Sequence, residues 1–173
     1  MKFFLKKIWD YFGVFIIAII VVLPIRYFIV QPFLVKGESM FPTFNNLDYL
    51  FIEKISYYFS SFKRGDVIVF RSPINESEFF IKRIIGLPGE KIEINKGKII
   101  IIKDNKKIEI EEPYINDLLN KNLKAIINNN EYFVLGDNRN KSFDSEEWGN
   151  LKKDKIIGKV FVRVWPFRSI TKD

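Results

Sequence analysis

Hydrophobic positions along the chain follow two regimes that change at about residue 30. From Tyr11 to Val30 the sequence reads YFGVFIIAIIVVLPIRYFIV, an almost unbroken apolar run. Its length of about 20 residues is what an α-helix needs to cross the hydrocarbon layer of a bilayer. Arg26 lies near the end, where its side chain can reach the head groups, and Pro24 is tolerated in a membrane helix. The run therefore predicts a span over residues 11–30, preceded by a short segment, 1–10, and left through Gln31-Pro32-Phe33. Two other readings compete with it, a cleavable secretory signal and a buried soluble helix. Against the first, the run exceeds a usual signal core and no small-x-small site comes after it; against the second, it lacks polar punctuation.

Beyond the span the period falls to that of strands. DYLFIEKI, DVIVFRS, FFIKRIIG, KIEINKGKIIIIKD, KKIEIEEPYI, EYFVLGD and GKVFVRVWPF are short runs rich in β-branched and aromatic residues, bounded by turn formers such as Asn95–Gly97 and Asp104-Asn105. A mostly β domain over residues 31–173 is predicted, with hairpins in an inserted region, 91–130. The Asn-rich stretch DLLNKNLKAIINNN within that region reads as a loop or a weak helix.

Charge orients this arrangement. Lys2, Lys6 and Lys7 precede the span, which keeps the N-terminus in the cytoplasm and sends the β domain to the far side of the membrane. The expected protein is thus a single-pass protein of the cytoplasmic (inner) membrane, with lipid as one partner. A net charge of +7, from 28 basic and 21 acidic side chains, suits a membrane surface. The lysines are scattered, and neither an aromatic-basic motif nor a basic recognition helix stands out, so no nucleic-acid partner is predicted.

The 173 residues contain no histidine and no cysteine, which excludes imidazole bases, thiol nucleophiles, disulfides and the usual zinc ligands. A nucleophilic serine in such a chain can be activated only by a lysine or a carboxylate. Ser39, in GESMFPTF, is set in the kind of turn a nucleophile needs: Gly37 permits tight backbone geometry and Pro42 stiffens the residues after Ser39. Most serines in turns merely bond locally. Lys82 lies within the apolar run FFIKRIIG, where strand alternation gives it Phe80 and Ile84 as companions and places Arg83 on the other face. Desolvation there disfavours the ammonium and predicts a lowered pKa. The third polar segment, GDNRNKSFDSEEWG, offers Asp137, Asn138, Asn140 and Asp144, but lacks the order of a calcium loop, so no metal or other cofactor is predicted.

In this order behind an apolar anchor, GESMFPTF, GDVIVF, FIKRIIGLPGE and GDNRNKSFDSEEWG resemble the consecutive boxes of the type I signal peptidases, the bacterial leader peptidase family. The resemblance covers the anchor and most of the following domain, leaving only Lys91–Asn130 without a motif. It implies a signal-peptidase β-sheet catalytic domain and a membrane-bound serine endopeptidase. That enzyme removes N-terminal signal peptides from secretory precursors and cuts after small residues; for the oligomeric state a monomer is the default expectation.

Carried over by position, Ser39 matches the nucleophile, its backbone N–H an oxyanion donor, and Lys82 the general base. Ser142 matches the serine that orients the lysine. Asp144 and Arg139 match residues of an ion-pair network, with Arg83 a further partner, and Gly136, Asp137 and Asn138 match the start of their loop. Met40 and Pro42 help to fix the nucleophile turn. One position departs: many members carry a serine two residues before the nucleophile as a second oxyanion donor, and here it is Gly37. The substrate is expected to lie as an added strand beside Gln31–Lys36 and Asp66–Arg71. Two further readings stand beside this one, a self-cleaving Ser/Lys protein of the SOS-repressor type and an inert membrane-anchored β module.

Overall fold

The computed structural model describes residues 12–22, 30–55, 57, 62–115 and 122–166. Residues 12–22 form a helix, α1, whose large apolar side chains, Val14, Phe15, Ile17 and Ile20 among them, are exposed. Among the described residues no helix is long and apolar enough to cross a membrane, and Tyr11 and residues 23–29 of the predicted span lie outside them. Val30, assigned to the end of the span, opens a strand instead. This strand, β1 (Val30–Leu34), pairs antiparallel with β2 (Tyr49–Glu53), Val30 opposite Glu53. Gln31 precedes a proline, which favours extended backbone, and Pro32 is tolerated because β1 is an edge strand.

The remaining predicted runs become strands. They are β3 (Val67–Arg71), β4 (Phe79–Gly86), β5 (Lys91–Asn95), β6 (Lys98–Lys103), β7 (Lys106–Ile110), β9 (Glu131–Leu135) and β11 (Ile156–Trp165). Two strands were not legible as such, β8 (Asn122–Ile126) and the two-residue β10 (Leu151–Lys152). β8 corrects the loop-or-helix reading of DLLNKNLKAIINNN at Asn122–Ile126, residues 117–121 lying outside the described residues: the strand alternates exposed and half-buried positions and pairs along its length with β5, so tertiary pairing overrides a weak local pattern. One sheet has seven strands in the order β1-β2-β11-β3-β4-β9-β10, and a second has four, β7-β6-β5-β8, every neighbouring pair antiparallel. The β5–β6 and β6–β7 hairpins close through Lys96-Gly97 and Asp104-Asn105, each residue at positive φ, the backbone a tight hairpin demands.

The two sheets share β4 and β9 as a party wall. Ile84, Tyr132 and Val134 point into a cluster with Phe62, Ile68 and Phe70. Ile85, Phe133 and Leu135, on the other face, meet Ile92, Ile94, Ile99 and Ile101 of the second sheet. A third cluster, Val35, Met40, Phe44, Leu50 and Val67, lies beneath the segment that carries Ser39. The large sheet coils back on itself. Phe33 of β1 and Phe79 of β4 have ring centroids 5.6 Å apart although three strands separate them in the sheet order.

Candidate active site

Ser39 sits in a short turn whose neighbours hold it from below. Met40 and Phe44 are each 1% exposed in the third cluster, and the Phe44 N–H donates to the Met40 carbonyl at 2.8 Å. Gly37 stands at φ +96°, a conformation other residues resist, and its N–H donates to Asn46 Oδ1 at 3.0 Å. That N–H is therefore occupied, and the position has no side chain to replace the serine donor of the family pattern. Ser39 itself is half-buried.

Lys82 comes from the middle of β4, opposite Ile68 of β3, with Phe80 and Ile84 packed in one cluster two positions away on either side. It is 4% exposed. Burial lowers its pKa to about 8, against the opposing pull of the Asp144 and Asp137 charges. Ser39 and Lys82 both line a cleft of about 610 Å³, walled by Phe33, Leu34 and Val35 of β1 and by Phe79, Phe80 and Ile81 of β4. Two strand edges face this cleft. β1 ends the sheet, and β4 pairs with β9 only from Arg83 onward, which leaves the Phe79–Lys82 edge open on the side away from β3. β3 is flanked by β11 and β4. The expectation that Asp66–Arg71 offers an edge is thus corrected: its backbone groups are already paired, and the free edge belongs to β4.

The loop after β9 meets the Ser39 turn at Gly136. A side chain there would collide with Ser142 Oγ and stand 2.5 Å from the Ser39 carbonyl oxygen, so glycine is required for space. The Asn138 N–H donates to that same carbonyl at 3.0 Å, which ties the two segments together. Asp144 accepts from the Gly136 N–H at 3.0 Å and from the Glu146 N–H at 3.2 Å, capping the short helix α2 (Ser145–Trp148). Ser142 Oγ is buried without a hydrogen-bond partner among the described residues. A buried hydroxyl is rarely left so unless a mobile group or ligand completes it.

The single ion-pair network implied for Asp144, Arg139 and Arg83 is divided in two. Arg83 grips Asp137 through Nε at 2.8 Å and Nη2 at 2.6 Å, and Thr43 Oγ1 donates to the same carboxylate at 2.5 Å. Burial opposes the Arg83 charge, but the bonds and charge of Asp137 outweigh it and raise the pKa. Arg139 instead pairs with Glu112 at 2.5 Å and donates Nε to the Gly136 carbonyl at 2.9 Å. Asp144 is spent on backbone N–H groups. Glu112 and Tyr114 fall in the region where the sequence carried no motif; the string EEPY is too short to have announced a long-range partner. At the rim, Glu38 and Lys141 form an exposed ion pair at 2.6 Å beside Ser39. Among the described residues no group of three or more His, Cys, Asp or Glu is placed to hold a metal ion.

Comparison with known proteins shows the family. Residues 8–165 match the family described as signal peptidase, peptidase S26. The chain is 37% identical over 158 residues to a probable signal peptidase I-1 of Synechocystis sp., covering 87% of this chain and 79% of that protein. It is 33% identical over 181 residues to signal peptidase IB of Staphylococcus aureus, covering 94% and 92%. The crystal structure of a signal peptidase I from Enterococcus faecalis superposes with a TM-score of 0.52 at 29% identity, over 59% of this chain and 98% of that one. The chain belongs to the signal peptidase family, the serine endopeptidases that remove signal peptides from secreted precursors.

Proposed function

We propose that Ser39 is the nucleophile and Lys82 the general base of this signal peptidase. The observation that carries the reading is their meeting in one cleft, the lysine almost wholly buried with a pKa near 8. In the reaction the neutral Lys82 amine takes the Ser39 hydroxyl proton as Oγ attacks the carbonyl carbon of the last signal-peptide residue. The tetrahedral oxyanion takes a hydrogen bond from the Ser39 backbone N–H. The Lys82 ammonium then protonates the departing amine, the C–N bond breaks, and the signal peptide remains as an ester on Ser39. Water, deprotonated by Lys82, hydrolyses that ester and restores the enzyme. Ser142 completes its hydrogen bonding with the Lys82 amine once substrate excludes water, since catalytic contacts commonly tighten in the substrate complex.

The precursor lies extended between the β1 edge and the Phe79–Lys82 edge, adding main-chain bonds to both. Phe33, Leu34, Phe79 and Ile81 line the cleft, and by likeness to the family small side chains are selected near the cut. Residues 11–30 anchor the chain, N-terminus cytoplasmic, with residues 31–173 as an extracytoplasmic monomeric domain. The exposed apolar side chains of α1 support that anchor, because a soluble chain seldom presents such a surface.

The test is cleavage of one labelled secretory precursor by the detergent-solubilised protein. Ser39→Ala and Lys82→Ala should each abolish cleavage while circular dichroism stays unchanged. Lys82→Arg should be equally inactive, because a guanidinium does not give up its proton at working pH. Full activity in any of the three overturns the assignment.

A further inference from the structure

The segment between β7 and β8 lies in the second sheet's connection, yet its side chains reach the catalytic loop. Glu112-Pro113-Tyr114-Ile115 forms a turn, closed by the Ile115 N–H to the Glu112 carbonyl at 3.2 Å, with proline at its favoured second position. The Glu112 carboxylate accepts from Arg139 at 2.5 Å and from the Tyr114 hydroxyl at 2.7 Å. The Arg139 and Glu112 side chains are 2% and 4% exposed, so this is a buried pair that must be fully satisfied to persist. Arg139 passes the constraint on, holding the carbonyl of Gly136, where Ser142 and the Ser39 backbone come together. The Tyr114 ring lies over the Arg83 guanidinium, 3.9 Å from carbon to centroid. Arg83 follows Lys82 in β4 and is locked to Asp137 of the same loop.

We infer that Glu112 and Tyr114 are positioning residues, a brace that fixes the Ser142 loop relative to β4 and so sets the separation of Lys82 from Ser142 and Ser39. The inference rests on the catalytic reading of Ser39 and Lys82. It gives the second sheet a task in the reaction, since the brace springs from the connection between two of its strands. Neither residue touches substrate. The brace acts through Arg139 and Gly136 on one arm and through Arg83 on the other. Burial, then the Glu112 charge, pushes the Tyr114 phenol far above its usual range, so the hydroxyl remains a donor at every working pH.

The test measures kcat, KM and the pH profile of kcat/KM for precursor cleavage by the full chain in detergent. Glu112→Gln keeps the shape but removes the charge that holds Arg139. Tyr114→Phe keeps the ring over Arg83 and removes the bond to Glu112, and it serves if Glu112→Gln does not fold. In each variant kcat should fall, by about tenfold to a hundredfold for Glu112→Gln, as a displacement on the order of 1 Å produces. KM should stay within about twofold, because the β1 and β4 walls that hold the extended precursor are untouched. The ascending limb of kcat/KM should move up by about half a pH unit or more as water reaches Lys82. A merely destabilised enzyme loses folded molecules without moving that limb. An unmoved limb in the variants that fold, whatever kcat does, overturns the brace. Undiminished cleavage by Ser39→Ala in the same assay would instead show that the catalytic reading had failed.

Discussion

At pH 7 a lysine with a pKa near 8 is neutral in about a tenth of the molecules, against fewer than about one in a thousand for an ordinary lysine. Burial of Lys82 in β4 therefore provides a neutral amine at a pH where an ordinary lysine has almost none, which is what the proposed role of base requires. The rate constant kcat/KM should climb with pH and level off above about 8, and a profile flat from pH 6 to 9 would contradict the assignment. The same burial weakens the fold. Below pH 8 Lys82 is protonated both folded and unfolded, and folding must bury its charge. Between pH 8 and about 10.4 the unfolded chain binds the additional proton, so stability rises with pH through that window. Lys82→Met should thus be more stable than the natural protein at pH 7, by about 3 kcal/mol at most, and the gap should close as pH approaches 10.5. Urea unfolding of the two proteins at both pH values measures it. An enzyme made more stable by losing its base is the expected sign of a site built against the preference of the fold.

The elements around the site meet at two glycines that differ in kind. Gly37 has φ +96° and open space around its missing side chain, whereas Gly136 has close neighbours in the Ser39 carbonyl and Ser142. Gly37→Ala should therefore strain only the backbone, costing about 1 kcal/mol in urea unfolding. Gly136→Ala should part the Ser142 loop from the Ser39 turn and lower kcat by about a hundredfold. Equal kinetic effects from the two would show that their common role is only to make turns. Sequence alone could not separate them, because GESM and LGDN each display merely a glycine. It did single out Ser39 and Lys82 as candidates, since a serine in a rigid turn and a lysine amid apolar residues are local signals. Strands with strong alternation, such as YLFIE in β2, were equally legible; NLKAI in β8 was not, because its character comes from pairing with β5. The division into two sheets was hidden as well. Ile84 and Ile85 are adjacent and chemically identical, yet they point into different cores. Long-range partners such as Glu112 for Arg139, 27 residues apart, leave no periodic trace at all.

At the scale of the molecule, the proposed anchor and the β domain that holds Ser39 and Lys82 should divide the labour of capture and chemistry. Val30 begins β1, and β1 is held by its five-residue pairing with β2, by the Phe33–Phe79 contact and by the cleft wall it forms, all within residues 30–166. The side chains that line the cleft likewise run from Phe33 to Phe143, well clear of α1 in the sequence. Removing residues 1–29 should therefore leave kcat on a short soluble precursor peptide within about twofold of the full chain. It should also abolish sedimentation with lipid vesicles, because the apolar run is what partitions into the bilayer. Cleavage of a precursor embedded in the same vesicles should fall much further than cleavage of the soluble peptide. Tethering enzyme and substrate to one surface replaces a three-dimensional search by a high effective concentration, worth roughly a hundredfold or more without any new contact. If the shortened protein instead lost the soluble reaction and the membrane reaction in equal measure, the N-terminal segment would be supporting the cleft itself, and the division between anchor and active domain would fall.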